Sequence, residues 1–189
     1  MDIDELRDMF KRKKNKNLEI VNLRGHIEDK IERMLRKNVT RSDFAERFRN
    51  IIEAYNAGGS QTDDFYEKIL KFMEDLRAEE ERHVREELSE EELEIFDLLL
   101  KDKLTKDEEK RVKLAAKELY NTLYARKEEL FVVGWQNDPQ PKERVRAAIG
   151  ECLDTVLPKC YDRDSFAAKI NRIHQHMVDQ AIMGYGWIA

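Results

Sequence analysis

Glycine and proline are scarce in this 189-residue chain, numbering seven and three. So few obligatory turns favour long uninterrupted elements. The glycines are scattered. No glycine cluster runs into Lys-Ser or Lys-Thr, the arrangement whose amides cradle phosphates, so ATPase motor chemistry is not expected. Cysteine occurs twice, at Cys152 and Cys160, on either side of Pro158. That spacing matches neither a C-x-x-C redox pair nor a zinc site, so both are read as reduced thiols, with Cys152 in a helix core. No apolar run approaches the ~18 residues of a membrane span. Charge begins at Asp2, which rules out a targeting h-region, and the expected compartment is the cytoplasm.

Charge is abundant. Charged residues make up 40% of the chain and hydrophobic ones 41%, with a net charge of -5. Richness in Glu, Lys, Arg and Leu points to long helices. The charge is uneven. Residues 1–49 hold 14 Lys/Arg against 10 Asp/Glu, and residues 61–110 hold 9 against 19. The acidic middle disfavours wrapping nucleic acid there, because phosphate binding needs cations.

The periodicity predicts an all-α fold, a helical bundle of about seven amphipathic helices. A short helix is expected over 2–10, then a basic hinge at Lys11–Asn17, so residues 1–17 are read as a linker or N-terminal extension. The first long helix covers 18–37, with Ile20, Leu23, Ile27, Ile31 and Met34 on one stripe. A second is expected after Thr40, with Thr40 and Asp43 as a capping box and Gly58-Gly59 as its stop. Its face is Phe44, Phe48, Ile51, Ile52 and Tyr55. Thr62 is the expected cap of a third helix, bearing Phe65, Ile69, Phe72, Met73 and Leu76 and continuing through Arg82.

Ser89 and Glu92 form a capping box ahead of Leu93, Ile95, Phe96, Leu98, Leu99 and Leu100, a dense apolar load for so short a helix. Thr105 and Glu108 repeat the box before a fifth helix carrying Val112, Ala115, Ala116, Leu119, Leu123 and Leu130, expected to reach Val133. Gly134 and the Asp138-Pro139-Gln140-Pro141 string read as a loop. A sixth helix holds Val145, Ala148, Ile149, Cys152, Leu153 and Val156. A seventh starts near Asp164-Ser165 and carries Phe166, Ile170, Ile173, Met177 and Ala181. The simplest organisation is one all-α domain over 18–189, with a subdivision near 134–141.

The residues suggest no catalytic, cofactor-binding or metal-ligating site. Carboxylates are plentiful but spread over helix faces, whereas a metal-dependent nuclease needs them to converge. His174 and His176, two apart on a helix, point roughly 200° apart and cannot share a metal; one packed and one exposed imidazole are expected. His26 and His83 are isolated, and Trp135 reads as a packing anchor.

Four stretches in order are similar to one family. They are NLEIVNLRGHIEDKIERMLRKN, TRSDFAERFRNIIEAYNAGG, RHVREELSEEELEIFDLLLKDKLT and VRAAIGECLDTVLPKCYDRDSFAAKINRIHQHMVD. Together, from about Asn17 to Asp179, they resemble the C-terminal helical region of the R subunit of type I restriction enzymes. At Val133-Gly134-Trp135-Gln136-Asn137 the chain departs from the family's usual acidic residue before the Trp. The resemblance implies a parent with a nuclease domain and two ATP-driven DNA-translocating motors, using ATP and magnesium in parts that lie outside this chain. It also implies partners: the methyltransferase and specificity subunits, with DNA reached through the complex. No catalytic residue carries over, and the docking face is not identified. Two alternatives come from other classes. One is DNA-backbone binding through Lys11, Arg12, Lys13, Lys14, Lys16, Arg33, Arg36, Lys37 and Arg41. The other is a self-associating structural module.

Overall fold

The structure is a computed structural model that describes residues 16–58 and 62–184. Among the described residues it is all-α, with nine α-helices, seven of them ten residues or longer, and no strand. The chain divides into two units, Met1–Glu87 and Leu88–Ala189, each with its own core. The division falls at Leu88 because that side chain opens the second core. Residues 134–141 lie inside the second unit, where buried Trp135 anchors them.

In the first unit, α1 (Lys16–Lys37) buries Ile20, Leu23, Ile27, Ile31 and Met34, the stripe read from spacing. Asn38 follows and is fully buried; its Oδ1 accepts from the Thr40 amide at 3.0 Å and the Thr40 hydroxyl at 2.6 Å. This caps a 3-10 turn at Val39–Arg41, and α2 (Ser42–Asn56) begins only after it. The expected Thr40–Asp43 box is therefore not what starts α2. Its N-cap position belongs to Arg41, whose side chain is turned inward to Glu79 and caps nothing.

Gly58 ends the helix at φ +73, donating its N–H to the Tyr55 carbonyl, and Gly59 lies outside the described residues. The next helix, α3 (Thr62–Glu80), starts at Thr62, whose side chain, the expected cap, also lies outside the description. It is followed by the single turn α4 (Arg82–Arg85). Phe72 joins α2 to α3, stacking on Phe48 at 5.4 Å and meeting Phe44 edge-on at 6.0 Å. Such pairs add roughly 0.5–1.5 kcal/mol beyond burial.

In the second unit both capping boxes form. The Glu92 amide donates to Ser89 Oγ at 3.1 Å and the Ser89 amide to Glu92 Oε2 at 2.8 Å, starting α5 (Glu90–Leu99). Thr105 and Glu108 do the same for α6 (Lys106–Ala125), whose Val112, Ala115, Ala116, Leu119 and Leu123 are fully buried. The expected extension of α6 to Val133 is corrected. The helix stops at Ala125, a one-turn α7 (Lys127–Leu130) follows, and Gly134 at φ +76 turns the chain. This bend buries Leu130 and Trp135, with Phe131 edge-on to the indole at 5.2 Å.

The Asp138–Pro141 string is corrected from loop to helix start. Asp138 accepts from the Gln140 amide at 2.9 Å, and α8 (Pro139–Val156) begins on Pro139. Proline costs little there, because first-turn amides have no intrahelical acceptor. Asp162 caps α9 (Arg163–Met183) through the Ser165 amide at 2.7 Å, and Gly184 ends it at φ +75.

Candidate functional site

Beyond its acidic first turn α5 is mostly buried: Leu93, Ile95, Phe96, Leu98 and Leu99 are all enclosed. A helix of that kind is enclosed by its neighbours, so any polar group on it needs a partner from elsewhere. Glu94 is such a group, only 2% exposed, and its Oε1 lies 2.9 Å from Nε2 of His176 on α9. The two side chains meet at that distance without the alignment of a straight hydrogen bond. The expectation of one packed and one exposed histidine is met in part: His176 is buried and His174 half-buried. Burial holds the His174 imidazole below its ordinary value, assisted by the nearby Arg146 and Lys142 charges; a bond to the Lys142 backbone works the other way.

The C-terminal end of α5 is completed by distant side chains. Lys169 Nζ donates to the Leu98 carbonyl at 2.9 Å and also to that of Leu100. Tyr161 donates its hydroxyl to the Leu99 carbonyl at 2.7 Å. These carbonyls belong to the group that no helix can satisfy internally, and a cation there also suits the helix dipole. Burial pushes the Lys169 ammonium below the usual lysine range and the Tyr161 phenol up to about 12. Lys101 lies over the Tyr161 ring at 4.9 Å and donates to the Cys160 carbonyl, tying the two loops together. Burial raises both thiols, Cys152 and Cys160, which makes them poor nucleophiles.

In the first unit the acidic run is partly consumed by internal pairs. Glu79 accepts from Arg41 Nε and Arg82 Nε, each at 3.0 Å, and Lys30 meets Glu80 at 2.7 Å. Arg41 is 2% exposed, which removes it from the set of cations able to reach a nucleic-acid backbone. Arg36 is engaged with Glu32 one turn away, and Lys11 to Lys14 lie outside the described residues.

Among the described residues no three His, Cys, Asp or Glu side chains converge as metal ligands would, and no helix is long and apolar enough to cross a membrane. Open surfaces occur in both units. A groove of about 480 Å³ runs between α1 and α2, floored by Ile31, Phe48 and Ile52 with Arg24 and Glu53 on its rim. In the second unit the α7–α8 turn exposes Val133 completely, and Tyr124 is half-exposed. Sequence reasoning missed Glu94, Lys169 and Tyr161. The usable signal for Glu94 was its place between Leu93 and Ile95 and one turn before Leu98, among the apolar positions of the helix.

No curated protein and no solved structure matches the chain. A family model does, over residues 2–181, and its description is type I restriction enzyme HindI endonuclease subunit-like, C-terminal. A match across nearly the whole length, on an all-α chain, decides the family: this chain belongs to the C-terminal domains of type I restriction enzyme HindI endonuclease subunit-like proteins.

Proposed function

We propose that this domain is a non-catalytic docking module, holding the endonuclease and translocase subunit on the methyltransferase–specificity core of a cytoplasmic restriction complex. The observation that carries the reading is the family match over residues 2–181 to the C-terminal part of an endonuclease subunit. The buried polar groups support it. Glu94, His176, Lys169 and Tyr161 are spent on joining α5 to its neighbours, an arrangement that stiffens a scaffold. ATP and magnesium act in the motor and nuclease parts of the parent, and DNA is met through the assembled complex.

Docking works by complementarity of rigid helix faces, with charge steering the encounter. The internal pairs narrow the acidic residues to test. Glu79, Glu80, Glu92 and Glu94 hold the fold, whereas Glu87 is exposed and Glu91 half-exposed. The test is a pull-down of this chain with the methyltransferase–specificity core from the same source, at low and high salt, with a DNA-only control. Capture of the core without DNA is the expected result. Capture of DNA alone, weakening steeply with salt, would move the function to the basic residues near the N-terminus. Core binding unchanged by Glu87→Gln and Glu91→Gln, at every salt concentration, would remove charge steering from the account.

A further inference from the structure

We draw no further inference here: the strongest candidate, the apolar groove between α1 and α2 floored by Ile31, Phe48 and Ile52, is an unpartnered face, and nothing in the structure shows what covers it.

Discussion

Glu94 on α5 and His176 on α9 lie 2.9 Å apart in the core of the second unit, 2% and 8% exposed. Replacing Glu94 takes from the buried His176 ring the carboxylate it faces, and an unsatisfied buried polar group costs about 1–3 kcal/mol. Glu94→Leu should lower the unfolding free energy from urea titration by that much, and His176→Leu should lower it too. The double variant should lose less than the sum of the two, because that sum counts the contact between them twice. Additive losses would show that the two side chains do not interact.

The end of α5 predicts a graded pair of effects. Tyr161→Phe removes one hydrogen bond, to the Leu99 carbonyl, and should cost ~1 kcal/mol. Lys169→Met leaves two partly buried carbonyls without their donor, and should cost about 1–3 kcal/mol more than the Tyr161 change. Urea unfolding of the two variants checks the order; equal stability would mean water replaces the ammonium freely.

His174 gives the second unit an acid sensitivity. Its folded-state value lies below its ordinary value of 6.5, so the unfolded chain binds the proton more readily. Stability contributed by the neutral ring is therefore present above 6.5 and is lost as pH falls through the lowered folded value. Unfolding midpoints measured at about pH 7.5 and about pH 5 should fall apart more in the parent than in His174→Phe. An equal drop in both proteins would assign the sensitivity to other groups.

The two capping boxes should be separable by mutation. Ser89→Ala and Thr105→Ala each remove an acceptor for a first-turn amide, at about 0.5–2 kcal/mol apiece. Hydrogen exchange should quicken at the Glu92 amide in the first variant and at the Glu108 amide in the second. Exchange unchanged at those amides would show that water serves equally well.

Separate cores predict separate folding. A fragment of residues 88–189 carries the whole second core and should unfold cooperatively by itself, with helical circular dichroism. Limited proteolysis should cut first near Glu87, where the backbone passes through φ +56 between the two units. A fragment that melts without a transition would show that the second core depends on the first unit.

Local features were legible and distant ones were not. The boxes at Ser89–Glu92 and Thr105–Glu108 are three-residue signals, and the α1 stripe from Ile20 to Met34 needs only helical spacing. The family itself was legible in the order of four helical stretches. The Asp138–Pro141 string misled because proline marks both turns and first helical turns, and only the Asp138 cap tells them apart. The stop at Ala125 has no glycine or proline to announce it; burial of Leu130 and Trp135 sets it. Arg41 reads as a surface cation in the sequence because the group that holds it inward, Glu79, lies 38 residues later. Glu94, Tyr161 and Lys169 have partners 62 to 82 residues away, beyond any local pattern.

That span has a consequence for synthesis. Leu98 waits 71 residues for the ammonium that completes its helix end. The first unit, which ends at Glu87, is in hand long before then. At roughly 5–20 residues per second, Lys169 leaves the ribosome several seconds after Glu87. During that interval the apolar side chains of α5, Leu93, Ile95, Phe96, Leu98 and Leu99, lack the cover that α9 supplies, so the nascent second unit carries exposed apolar surface for longer than the first.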